Sequence, residues 1–147
     1  MIWLCPVIYY TIGMNYLIIT ILLRAVAYNM PEENLWRAIC TVESRNNPVA
    51  VGDGGKAVGI AQIHKCLVDD VNRIMGRKLY VYSDRLDPAK SKAMFWIYTR
   101  HYYPNGTPEQ WARAWNGGPK GPNKKATESY WQKVQRVMDR ECVGDVR

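Results

Sequence analysis

Residues 31–44 read PEENLWRAICTVES, and the reading of this stretch decides the fold. Pro31, Glu32 and Glu33 suit the first turn of a helix, where proline has no N–H to lose and carboxylates meet the positive end of the helix dipole. Leu35, Trp36, Ile39, Cys40 and Val42 then recur on or near one face at helical spacing, so that face is buried. Glu43 closes the run and is followed at once by Ser44 and the loop RNNPVAVGDGG (45–55). A carboxyl group that ends a buried helix beside a Gly-rich loop sits half in the core and half in a cleft. Desolvation there penalises the charged form and lifts the pKa toward neutrality, as a general acid requires.

Outward from this helix the chain alternates turns with periodic segments. Residues 45–56 read as turns and short extended pieces, either a β-hairpin or an irregular loop. Ile60, Ile63, His64, Leu67, Val71 and Ile74 mark a second helix, with Gln62 in its first turn and Gly76 as its stop. Residues 79–85 are irregular, with a lone strand as one option. Asp87-Pro88 caps a third helix through Ala93, Met94, Ile97 and Tyr98. Thr107-Pro108-Glu109-Gln110 is a capping box that opens a short helix through Trp111 and Trp115. Residues 116–122 read as loop, and a last helix starts near Thr127 and carries Tyr130, Trp131, Val134, Val137 and Met138. The expected fold is α+β and mostly helical: about five helices with a small β-hairpin or loop element.

A chain of 147 residues holds one domain with a real core. Six Trp and ten Tyr against one Phe favour aromatics with a polar handle, which line wet clefts better than they fill dry cores. The net charge of +7 favours an anionic partner. The cations are scattered, Lys124-Lys125 being the densest pair, which argues against a nucleic-acid-binding stripe. Residues 1–23 carry no charge before Arg24, a run long enough to cross a bilayer. It reads as an N-terminal membrane anchor. Ala25-Val26-Ala27 leaves a cleaved export signal as an alternative, and a buried apolar helix as another. The expected organisation is an anchor or signal over 1–27 and a catalytic domain over 28–147, membrane-anchored or exported. Cysteines 5, 40, 66 and 142 show no CxxC or paired histidine spacing, so neither a metal nor another cofactor is expected. They read equally as buried apolar residues or as members of a bridge.

Three segments carry chemistry: Val42-Glu43-Ser44, the run GDGGKAVGIAQI (52–63), and ARAWNGGPKG (112–121). Glycosidic cleavage needs a protonated acid beside the leaving oxygen, stabilisation of positive charge at the sugar carbon, and polar groups that hold the ring. Glu43 can supply the acid. Gln62 and Asn116 offer amides for acetamido and hydroxyl groups, and Trp115 offers a flat face for a sugar.

In these segments the chain resembles the lysozyme superfamily, in its SLT-type lytic transglycosylase branch. That branch is marked by an ES pair, a G-[LI]-x-Q segment and an AYN-x-G segment. They appear here as Glu43-Ser44, Gly59-Ile60-Ala61-Gln62 and Ala114-Trp115-Asn116-Gly117. The wording of the second and third segments is also similar to invertebrate-type lysozymes and their phage relatives. The resemblance spans roughly residues 32–138. It implies a lysozyme-like fold and cleavage of the β-1,4 bond between N-acetylmuramic acid and N-acetylglucosamine, with the peptidoglycan glycan strand as partner. It implies Glu43 as catalytic acid and later base, Ser44 assisting by hydrogen bonding, and Gln62 and Asn116 binding sugar beside Trp115. Trp115 replaces the usual tyrosine, which removes a phenol and keeps a stacking face.

Asp53 separates two chemistries. A lytic transglycosylase works with one acid, and the muramic 6-hydroxyl closes an anhydro ring. A hydrolytic muramidase adds an aspartate a short way past the glutamate, where Asp53 stands. Asp53 also reads simply as a turn-former in Gly-Asp-Gly-Gly. An alternative from another class is a virion or envelope structural protein that keeps the fold and lacks the activity.

Overall fold

The computed structural model describes residues 31–144, with side chains through 140. The chain falls into two units, 1–33 and 34–147. The expectations for the apolar run 1–23 and for Cys5 lie outside the described residues. Among the described residues no helix is long and apolar enough to cross a membrane.

Helix α1 covers residues 31–44. It ends in two left-handed residues, Arg45 at φ 56° and Asn46 at φ 63°. There the Arg45 amide donates to the Thr41 carbonyl at 3.0 Å and the Asn46 amide returns to the Cys40 carbonyl at 3.2 Å, which uses carbonyls of the last turn. The hairpin that follows is short: β1 (Val51–Gly52) pairs antiparallel with β2 (Ala57–Val58), Val51 opposite Val58. The turn between them, Asp53–Gly55, is a 3-10 turn.

Helix α2 is Lys65–Ile74, so it begins later than its apolar spacing predicts. Gln62 sits at φ 50°, and Ile63 exchanges both backbone hydrogen bonds with Val58, at 3.2 and 2.9 Å. A residue committed to that antiparallel bridge cannot also turn into a helix. Ile60 and Ile63 therefore belong to the return of the hairpin. The lone strand considered for 79–85 is absent as well. The Asn72 side chain does what a neighbouring strand would do. Its Oδ1 accepts from the amides of Leu79 and Tyr80 at 2.8 and 2.9 Å, and its Nδ2 donates to the Tyr80 carbonyl at 2.9 Å. A 3-10 turn, Tyr82–Leu86, follows.

Helix α3 (Pro88–Tyr102) starts as its sequence predicts: Asp87 Oδ1 accepts from the amides of Ala89 and Lys90. Helix α4 (Pro108–Gly117) opens on the complete Thr107–Gln110 capping box, worth about 1 kcal/mol. It carries Asn116 and Gly117, which their residue types place in a loop, and stops at Gly118 with φ 78°. Two 3-10 turns, Gly121–Asn123 and Lys125–Thr127, lead into α5 (Glu128–Gly144). The described chain is thus five helices and one two-stranded sheet, an α+β domain dominated by helix.

Leu35, Ile39, Val68, Val71, Met94, Phe95 and Val134 are fully buried in one core, each worth about 1.5–3 kcal/mol against exposure. The aromatics depart from expectation. Trp36, Tyr98, Trp111 and Tyr130 are buried. Phe95, the single phenylalanine, contacts Trp36, Trp96 and Trp115 at ring separations of 5.6, 4.8 and 5.0 Å. Two of the polar handles are satisfied inside the protein: the Trp111 indole donates to the Tyr103 carbonyl at 2.8 Å, and the Tyr130 hydroxyl donates to Glu43 at 2.7 Å. A satisfied handle lets a tryptophan serve as core.

Candidate active site

Helix α1, the hairpin, α2, α3 and α4 enclose an open cleft of about 630 Å³. Five of the six candidate residues line it: Glu43, Asp53, Gln62, Trp115 and Asn116. The folding that brings them together is local at each point. Glu43 occupies the last turn of α1. Asp53 starts the hairpin turn at φ 46°, a left-handed conformation that costs a non-glycine residue about 1 kcal/mol or more. Trp115 and Asn116 end α4, with the Trp115 ring held edge-on by Phe95 at 5.0 Å and by Tyr98 at 6.2 Å.

Glu43 is half-buried, and its Oε1 accepts a hydrogen bond from the Tyr130 hydroxyl at 2.7 Å. Burial raises the Glu43 pKa above 4.5, and it outweighs the opposing pull of the Tyr130 bond, which stabilises the carboxylate. Burial also pushes the Tyr130 phenol well up, with the Glu43 charge adding to it. Tyr130 therefore stays a donor. Tyr98, on the cleft wall, is pushed up to about 12 by burial and also stays neutral. Tyr130 was invisible as a site residue in the sequence, where it counts as one more large residue on the buried face of α5. Its only signal is a hydroxyl on an otherwise apolar stripe.

Ser44 does not line the cleft. Its hydroxyl donates to the Ile60 carbonyl at 2.7 Å and accepts from the Asn47 amide at 3.1 Å. It ties the end of α1 to the hairpin return and so fixes the floor from which Glu43 projects. Gln62 is turned inward. Its amide nitrogen donates to the Gly59 and Ala50 carbonyls at 2.9 and 3.3 Å, which leaves only Oε1 for anything else. That oxygen lies 2.3 Å from where a side chain on Gly52 would begin. Gly52 is thus needed for the Gln62 side chain to lie across the hairpin. Asn116 borders the cleft.

His64, expected within the second helix, stands just before it on the cleft rim. Its Nε2 is 3.5 Å from Asp53 Oδ2, both side chains being substantially exposed, at 42% and 60%. Cys66 and Leu67 continue the same wall, and Asp70 closes it, bridged to Arg73 at 2.6 Å. Cys66 is an exposed thiol, whereas Cys40 packs in the core as a small apolar residue. Among the described residues no lysine or arginine lines the cleft, so the positive charge of the chain lies elsewhere.

A helical domain with a short hairpin beside a cleft, and a half-buried glutamate at the end of its first helix, has the lysozyme-like architecture. The profile of the transglycosylase SLT domain matches residues 21–138. The chain belongs to that family, whose members are peptidoglycan lytic transglycosylases, a class of glycosidase. The match ends where the sequence resemblance ends, and it begins inside the segment read as anchor or signal. No curated protein matches the chain.

Proposed function

We propose that the protein cuts the β-1,4 bond between N-acetylmuramic acid and N-acetylglucosamine, with Glu43 as acid and then base and the muramic 6-hydroxyl as nucleophile. The observation that carries this reading is the Glu43–Tyr130 pair: a carboxyl group whose protonated form burial favours, facing an open cleft. Tyr130 occupies Oε1, so the proton resides on Oε2. Passing it to the leaving glycosidic oxygen breaks the C1–O4 bond. The carboxylate so formed, stabilised by the Tyr130 hydrogen bond, takes the proton of the 6-hydroxyl as O6 bonds to C1. Glu43 ends protonated, as it began, and no water is consumed. Trp115 supplies a stacking face, while Asn116 and Gln62 Oε1 supply polar contacts for the sugars.

Mass spectrometry of the released muropeptides tests the chemistry. Anhydro ends are expected, and reducing ends in their place overturn the single-acid route. The exposure of Asp53 and its pairing with His64 support a rim position with no share in bond cleavage. Asp53→Asn is expected to keep the rate within about threefold. A loss near the general-acid range, roughly 100-fold or more, would instead make Asp53 the second carboxylate of a hydrolase.

Tyr130→Phe removes the bond that lowers the Glu43 pKa, so that pKa rises further. Activity that requires protonated Glu43 then persists to higher pH. Turnover drops by about tenfold, because the intermediate carboxylate loses a hydrogen bond of about 1.5 kcal/mol. A pH–rate profile whose basic limb stays in place would show that Tyr130 only fills space.

A further inference from the structure

Arg85 is buried, with 7% of its surface exposed. Among the described residues no carboxylate pairs with it. Its guanidinium is satisfied by three backbone carbonyls: Nε donates to Tyr82 at 2.7 Å, and Nη1 donates to Lys56 at 3.1 Å and Ile63 at 3.0 Å. The first bond closes its own 3-10 turn. The other two reach the hairpin on both sides of β2. Lys56 precedes Ala57, and Ile63 follows Gln62. Ala57, Gln62, Ile63 and His64 all line the cleft.

The backbone of the same residue packs closely against the hairpin return at Gly59. The Arg85 carbonyl lies 1.8 Å from where a Gly59 side chain would start, and it accepts from the buried Ser91 hydroxyl of α3 at 3.1 Å. One residue therefore joins α3, the 82–86 turn and the cleft-forming hairpin. Part of its role is stability, since a buried carbonyl left without a donor costs about 1–3 kcal/mol. Stability alone does not require a cation, whose removal from water costs several kcal/mol. What an apolar residue cannot do is hold two carbonyls, seven residues apart in the chain, at a fixed separation. A planar, permanently charged guanidinium can.

We propose that Arg85 is a positioning residue that sets the cleft wall bearing Gln62 and His64. It rests on the reading of that cleft as the sugar-cleaving site. It acts through the hairpin, away from the Glu43–Tyr130 pair, so it governs how sugars are held and leaves the proton chemistry alone.

The test uses the full chain carrying Arg85→Lys, Arg85→Met or Arg85→Ala. Three quantities are measured: kcat and KM on soluble uncrosslinked glycan strands, thermal midpoints, and the Kd for tetra-N-acetylchitotetraose followed by tryptophan fluorescence. Expected are a midpoint within a few degrees of wild type for Arg85→Lys, lower midpoints with a retained fold for the other two, KM and Kd raised about tenfold in all three, kcat within about threefold, and an unchanged pH profile. Methylguanidinium is expected to restore KM in Arg85→Ala. Folded variants with wild-type KM and Kd would overturn the proposal. Failure of all three variants to fold would also overturn it, since Arg85 would then be a stability element. The binding arm keeps the two readings apart: a wild-type protein that binds the tetrasaccharide but releases no product defeats the proposed reaction, while the effect of Arg85 on Kd is still measured.

Discussion

Glu43→Gln is expected to abolish cleavage of peptidoglycan, with turnover reduced by about 100- to 10,000-fold, while the protein stays folded. Glutamine keeps the shape and can still accept from Tyr130, but it has no proton to give to the leaving oxygen. The substitution should also stabilise the protein near neutral pH, and the sign follows from the raised pKa. Below about 4.5 Glu43 is protonated in both the folded and the unfolded chain, so its ionisation contributes nothing. As pH climbs through the raised folded value, the unfolded chain has already lost its proton, and the folded chain must hold either a buried charge or a costly proton. Wild type therefore loses stability relative to the variant as pH rises from 4.5 toward 7. Denaturation midpoints of the two proteins at pH 4 and pH 7 check this. A gap that does not widen means Glu43 is not desolvated. A variant that clears peptidoglycan like wild type ends its assignment as the acid.

Gly59→Ala is expected to lower the thermal midpoint by roughly 10–15 °C, corresponding to about 3 kcal/mol. Two costs combine. Gly59 sits at φ 85°, which penalises any Cβ by about 1–2 kcal/mol. That Cβ would also meet the Arg85 carbonyl at 1.8 Å, and a backbone oxygen anchored by Ser91 cannot move aside cheaply. Gly76→Ala is the internal control. Gly76 has φ 66° and nothing within 4 Å of its Cβ position, so only the conformational cost applies. If the two variants melt together, the hairpin and the 82–86 turn are not in the close contact described.

What was legible in the sequence was what is decided locally. Asp87-Pro88 and the Thr107–Gln110 box begin their helices through hydrogen bonds made within three residues, and both stand as expected. Glu43 was legible because the helix that carries it has an unbroken apolar face and an abrupt Gly-rich end. The start of α2 was not. Ile60 and Ile63 fit a helical stripe equally well as two turns of hairpin, and only the bridge to Val58 decides between them. Tyr130 and Arg85 were illegible for the same reason: the atoms that give them meaning are 87 residues away in one case and 22 and 29 in the other. The inward turn of Gln62 depends on an absent side chain at Gly52. A residue-type pattern shows that an amide is present but not which carbonyls it faces.

The distance between Glu43 and Tyr130 along the chain has a consequence for biosynthesis. A ribosome delivers the first described helix long before the last, and until α5 docks the glutamate lacks its phenol. On the proposed reading of Glu43, the acid is complete only once the last described helix has docked on the first.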